Sequence, residues 1–172
     1  SWQIENLGAR LDAFTEIATL NYARLSYQLQ KYDEAVRAYE TIEQIAKLGN
    51  NKSEGTIGKM RSCYNLQDYR SALVAANQVL ALNLKEGAVV REANYIKAKS
   101  LMAEGERSSA SDILAALAKD PADKYGAEAA YILILDAYDE GEFEKVENLT
   151  FALSDSATPQ TYWLAKSFIT LG

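Results

Sequence analysis

Between Asn21 and Ile42 the apolar positions fall at Tyr22, Leu25, Tyr27 and Leu29. Past a short break at Gln30 and Lys31 they resume at Ala35, Val36, Tyr39 and Ile42. Steps of three and four residues put each set on one face of a helix, so the pattern predicts two successive amphipathic helices joined by a tight turn. The opening of the second helix, Tyr32-Asp33-Glu34-Ala35, then recurs. Asp68-Tyr69-Arg70-Ser71-Ala72 follows 37 residues later, Glu106-Arg107-Ser108-Ser109-Ala110 after a further 38, and Glu142-Phe143-Glu144-Lys145-Val146 after a further 36. A fixed period of this size is the mark of a repeat architecture, in which each helix pair buries its apolar face against its neighbours.

The same template places the remaining elements. In the second pair Ile57, Met60, Cys63 and Tyr64 face Ala72, Ala75, Val79 and Leu80. In the third, Tyr95, Ala98, Leu101 and Met102 face Ala110, Ile113, Leu114 and Leu117. The fourth sets Ala130, Tyr131, Ile134 and Ala137 against Val146, Leu149 and Leu153. Gly105 and Gly141 sit between first and second helix, where a left-handed residue reverses the chain; Gln30 and Gln67 hold that place earlier and either adopt the strained conformation or turn differently. Gly49-Asn50-Asn51-Lys52-Ser53 reads as a turn with Ser53 as N-cap. Pro121 marks a helix end, and Thr158-Pro159 reads as an N-cap followed by proline at the first helical position. Residues 1–16, with Trp2, Ile4, Leu7, Leu11 and Phe14, are either a helix ending near Gly8 with a new start at Asp12 or Thr15, or one long helix.

These features resemble the tetratricopeptide repeat family, in a divergent form whose 36–38-residue spacing exceeds the usual 34. The family's second helix opens much as Tyr32-Asp33-Glu34-Ala35 does, and its first helix carries a small residue at the eighth position, here Ala23, Met60, Ala98, Ile134 and Ala165. Met60 and Ile134 depart from that pattern and imply wider helix pairing there. The resemblance implies an all-α fold, a right-handed α-α superhelix of about four helix pairs (17–50, 54–87, 89–123 and 125–156) plus an unpaired C-terminal helix in 158–172. That unpaired helix suggests a piece of a longer repeat protein. Divergent repeats of this kind often belong to long bacterial scaffold proteins, including those of the cell envelope.

In this family the first helices line a concave face. Carried over residue by residue, that face would hold a basic column at Arg24, Arg61, Lys99 and Lys166, broken by Leu135. It would also hold Tyr27, Tyr64, Met102 and Tyr138 three residues further on, and Tyr95 and Tyr131 one turn earlier. Rigid rings interleaved with cations suit an extended or helical protein segment, preferably acidic. Two readings stand: this partner groove, or tyrosines packed on the next repeat beside solvated cations. The family's carboxylate-clamp subgroup needs asparagines, of which only Asn21 matches.

Composition narrows the chemistry. The chain of 172 residues has no histidine, which removes imidazole-based nucleophilic, acid–base and metal-binding systems. A net charge of −6 argues against nucleic acid as the main partner, and against the RNA-binding pentatricopeptide repeats of similar period. Cys63, the single cysteine, excludes an internal disulfide and reads as a buried small side chain. Gly58-Lys59 lacks the rest of a phosphate loop, and the acidic cluster at Asp136, Asp139, Glu140 and Glu142 reads as a solvated turn rather than a calcium loop. Asn51-Lys52-Ser53 and Asn148-Leu149-Thr150 match the glycosylation sequon by pattern alone. No run of apolar residues is long enough to cross a membrane, and no signal segment is visible. The expectation is a non-catalytic interaction scaffold without cofactor or metal; the rival is a self-assembly or docking module using its exposed ends.

Overall fold

The computed structural model describes residues 2–85 and 87–172, with side chains from residue 10 onward apart from residue 86. The fold is all-α: the described residues form helices α1 (Trp2–Gln28), α2 (Tyr32–Ile45), α3 (Gly49–Asn65), α4 (Tyr69–Ala81), α5 (Gly87–Ala103), α6 (Arg107–Ala118), α7 (Lys124–Asp139), α8 (Phe143–Asp155) and α9 (Thr161–Leu171), and no strand. They divide into two compact units, 1–85 with α1 to α4 and 86–172 with α5 to α9. No helix among the described residues is long and apolar enough to cross a membrane.

The recurring phrase marks the same structural event four times. Tyr32, Tyr69, Arg107 and Phe143 are each the first residue of a second helix. The turn before each is also the same. Gln30, Gln67, Gly105 and Gly141 all have positive φ, at 60°, 60°, 84° and 74°. At each, the left-handed residue donates its N–H two positions into the end of the first helix, and the next residue donates to the carbonyl five back, as in Lys31 N to Ser26 O at 2.9 Å and Glu106 N to Leu101 O at 2.8 Å. This paired closure satisfies two carbonyls that a helix end otherwise leaves open. Gln30 and Gln67 therefore take the strained conformation, at a cost of about 1–2 kcal/mol each relative to glycine.

In the first unit Leu20 and Ala23 of α1 meet Ala35, Ala38, Tyr39 and Ile42 of α2, all buried, with Tyr27 packed at the edge. Glycine then lets α3 approach: the Tyr39 ring lies directly on Gly58, where an added Cβ would fall 2.3 Å from it. In the second unit Ile134 and Ala137 of α7 pack on Val146 and Leu153 of α8, and Leu164 and Leu171 of α9 join them. Ala23, Met60, Ala98 and Ile134 are fully buried, so the slot is a core position whatever the size of its occupant; Ala165 is exposed.

Of the two readings of residues 1–16, the single long helix is the one formed: residues 2–28 run without a break at Gly8, Asp12 or Thr15; the side chains of Trp2, Ile4 and Leu7 lie outside the described residues. Other local expectations need correction. Gly49 to Ser53 is the first turn of α3, not a loop, and Ser53 does not cap it. The entry to α3 is instead held from α1, where the buried Glu16 carboxylate accepts from Lys47 N at 3.1 Å and Asn51 Nδ2 at 2.7 Å. Likewise α9 begins at Thr161, two residues past Pro159. Thr158 serves the connection instead, its hydroxyl donating to Pro121 O at 2.6 Å and accepting from Gln160 N at 3.1 Å.

Candidate protein-interaction surface

Each first helix ends in a tyrosine or methionine that the sequence places on the partner-facing side. Three of the four instead form a latch across the turn. Tyr27 meets Tyr32 edge-on at 5.4 Å, Tyr64 meets Tyr69 at 6.1 Å, and Tyr138 meets Phe143 at 6.0 Å. Edge-to-face geometry aligns the positive ring edge with the negative face, which adds to simple burial. The Tyr27 hydroxyl also accepts from Asn65 Nδ2 of α3 at 3.1 Å. The third turn holds half-buried Met102 and Arg107, and has no ring pair of this kind. Arg107 turns instead to Asp136 of α7, taking up one member of the acidic cluster.

The basic column is similarly engaged. Arg24 makes a two-pronged bond to Glu54 of α3, Nε to Oε1 at 2.6 Å and Nη2 to Oε2 at 2.7 Å, and this contact raises the Arg24 pKa above the usual arginine value. Lys99 pairs with Glu128 of α7 at 3.0 Å while standing 6.0 Å from the Tyr95 ring. Tyr95 is itself buried and lies 4.9 Å from Tyr125. Arg61 is half-buried and engaged in the first unit.

Lys166 differs. Its ammonium lies 5.4, 5.0 and 5.4 Å from the ring centres of Tyr131, Tyr162 and Trp163, and no carboxylate among the described residues pairs with it. The Tyr162 hydroxyl holds its pKa above the usual lysine value. Tyr131 and Trp163 stack at 5.5 Å, and Tyr162 meets Trp163 edge-on at 4.8 Å. Tyr162 is 61% exposed, leaving a ring-and-cation surface open to solvent on α9.

The structure thus brings Tyr131 and Lys166 together, and Tyr95 with Lys99, within the second unit; Arg24 and Tyr27 contact α3 in the first. Tyr162 falls in the register that also holds Tyr95 and Tyr131, and joins this surface as that register implies; sequence reasoning missed Trp163 as a member of it. It also missed Arg91, which binds Asp123 through Nε at 2.5 Å and Nη2 at 3.1 Å and donates to Asp120 O at 2.8 Å. Asp123 caps α7 by accepting from Gly126 N at 2.8 Å, and the Arg91 contact holds its carboxyl below the ordinary 3.8.

The other chemical candidates resolve into structure. Cys63 is buried, and burial pushes its thiol from 9.0 to about 11, so it stays protonated at neutral pH. Lys59 pairs with Glu43 beside Gly58. Asn51 is turned into the Glu16 contact, and Asn148 lies exposed on α8. Among the described residues no group of three or more cysteine and acidic side chains converges as a metal site would. In the second unit a cavity of about 250 Å³ between α6, α7 and α8 is lined by Leu133, Leu149 and Leu153, with Lys119 its one ionisable lining residue.

No protein-family model matches this chain, and neither a curated protein nor a solved structure does.

Proposed function

We propose that the helix pairs are tetratricopeptide-like repeats, stacked within each unit as a right-handed α-α superhelix, and that the chain is a non-catalytic protein-interaction scaffold. The observation that carries this reading is an asymmetry of helix approach. First helices come close to one another, α1 to α3, α5 to α7 and α7 to α9, whereas the second helices α2 and α4, or α6 and α8, do not. A stack whose members converge on one side curves toward that side, so the first helices line the hollow of each unit. Hollows of this kind are what helical repeats offer to extended partners.

Within the second unit the contact surface centres on Lys166, Tyr162, Tyr131 and Trp163. Its chemistry selects an acidic protein segment with apolar side chains: the rings give rigid contact area and Lys166 meets a carboxylate without first being released from another. Arg24 and Lys99 are poorer ligand groups, because a partner would have to displace Glu54 or Glu128.

Fluorescence anisotropy with a panel of fluorescein-labelled acidic amphipathic peptides tests the proposal. The expected result is binding that weakens at least about fivefold in Lys166→Ala and in Tyr162→Ala, with unchanged far-ultraviolet circular dichroism. Absence of binding across the panel, or affinities indifferent to both substitutions, overturns it.

A further inference from the structure

Helix α1 has a second apolar face. Its buried stripe, Glu16, Leu20 and Ala23, faces α2 and α3, yet on the opposite side Leu11, Phe14, Ala18, Tyr22, Leu25 and Leu29 form a continuous exposed row. At 100° per residue these six lie within about 40° of a common direction, turned roughly 140–200° from the buried stripe. Five of them are large, and they are 59%, 73%, 51%, 52% and 60% exposed in chain order. Arg10, Asp12, Glu16 and Arg24 all point elsewhere around the helix. In a chain whose composition is 24% charged, a sector about 120° wide and four to five turns long carries none. Its polar members are already satisfied within the helix: Thr15 donates to Leu11 O at 2.9 Å and Asn21 accepts from Arg24 at 3.2 Å.

This face is not a copy of the one by which α3 receives α2. There Gly55 and Gly58 admit the neighbouring helix, with Tyr39 lying on Gly58, and Ser62 is fully buried. The positions 37 residues earlier hold Ala18, Asn21 and Leu25. A helix seated on α1 as α2 sits on α3 would drive its ring into the Asn21 side chain and lift off over Leu25.

What the row does fit is itself. Its spacing is nearly palindromic about residue 20: Leu11 stands opposite Leu29, Phe14 opposite Leu25, and Ala18 opposite Tyr22 when a second α1 is laid antiparallel across it. A two-fold interface demands this self-complementarity, each residue meeting its counterpart twice. Ala18 leaves room for the facing Tyr22, whose hydroxyl is already fixed by Glu34 at 2.8 Å. No like charges oppose each other across the axis. Aromatic and leucine residues of roughly 150–250 Å² each, exposed to these fractions, leave about 500–600 Å² per copy, or about 1,000–1,200 Å² in all, which reaches the low end of stable interfaces.

We propose that α1 pairs antiparallel with the α1 of a second copy of this chain through this row, forming a two-fold dimer. The surface is separate from Lys166 and Tyr162, so this inference and the functional reading fail independently.

Sedimentation velocity of the whole chain from about 1 to 500 µM tests it. The mass doubles with concentration, and Phe14→Glu raises the dissociation constant at least about tenfold with helicity unchanged. A register test follows from the cross-axis pair: Phe14→Lys and Leu25→Glu each weaken the dimer, and both together on one chain give a tighter dimer than either alone, whereas parallel pairing would make the combination weakest. A monomer at every concentration means that something other than a second copy covers the row, and overturns the proposal. A dimer indifferent to Phe14→Glu does the same.

Discussion

Replacing Gly126 by alanine isolates how closely α6 and α7 are joined. Gly126 lies in the first turn of α7, and a Cβ built there would fall 2.0 Å from Asp120 O and 2.8 Å from Leu117 O, both backbone atoms. Ordinary contact begins near 3.4 Å, so the chain after α6 would have to retreat by more than an ångström. Three terms set the sign. Alanine in place of helical glycine gains up to about 1 kcal/mol. Overpacking a close contact costs about 1–3 kcal/mol. Moving Asp120 also disturbs its carbonyl's bond from Arg91 at 2.8 Å, and hydrogen bonds to charged groups contribute about 1.5–3 kcal/mol. The net expectation is roughly 2–4 kcal/mol of destabilisation. Gly49→Ala is the matched control: it also lies in a first helical turn, with nothing within 4 Å of the added Cβ. It should be neutral or stabilising by up to about 1 kcal/mol. Urea unfolding followed by circular dichroism reads the difference between the variants, and hydrogen exchange should show lost protection in α6 and α7. Equal midpoints for Gly126→Ala and Gly49→Ala would refute the reasoning, since helix propensity alone treats the two alike.

Two further outcomes follow from the charged contacts. The Glu16 carboxyl is held below its ordinary 4.5, chiefly by the Lys47 backbone N–H and then by Asn51. A lowered folded-state pKa contributes stability that is present above 4.5 and lost as pH falls through the folded value. Glu16→Gln should therefore melt below the wild type at pH 7, with the gap closing as pH falls below 4.5; a gap that ignores pH would show that Glu16 does not hold the entry to α3 as an anion. For Arg24 and Glu54, 48% and 36% exposed, a double-mutant cycle should give a coupling of about 0.2–1 kcal/mol that shrinks in 1 M salt. A coupling well above that range, or one insensitive to salt, would contradict a solvated pair.

Helix openings were legible because they are local. Tyr32, Tyr69, Arg107 and Phe143 begin their helices where an aromatic or arginine follows a left-handed turn, and the acidic residues Asp33, Glu34 and Glu144 lie in first turns as the helix dipole favours. The start of α3 was not legible, since the contact that fixes it comes from Glu16, 35 residues from Asn51; composition around Gly49 signals a turn whenever that distant carboxylate is left out. Pro159 misled for a related reason. Its neighbour Thr158 has a partner in Pro121, 37 residues away, and so does not cap the helix. The tyrosines illustrate a different limit. Tyr27, Tyr64 and Tyr138 share the helix face expected for a partner, but that face at the last helical turn also overlooks the residue opening the next helix, and only coordinates distinguish the two destinations.

The cations carry the same lesson further. Arg24 reaches Glu54, Arg91 reaches Asp123, Lys99 reaches Glu128 and Arg107 reaches Asp136, separations of 30, 32, 29 and 29 residues. In every case a cation from one helix pair meets an acid on, or capping, the first helix of the next pair within its own unit. In an acidic chain these bases neutralise carboxylates of the neighbouring first helix, so the shared register of Arg24 and Lys99 is accounted for by helix-to-helix pairing within each unit. Reversing Arg24 or Lys99 would set like charges against Glu54 or Glu128, and lost binding could not then be told from a loosened stack. Lys166 stands outside this arrangement, held by rings instead of a carboxylate. It is the member of the basic column at which recognition and folding can be separated by substitution, and for that reason the interaction hypothesis is tested there.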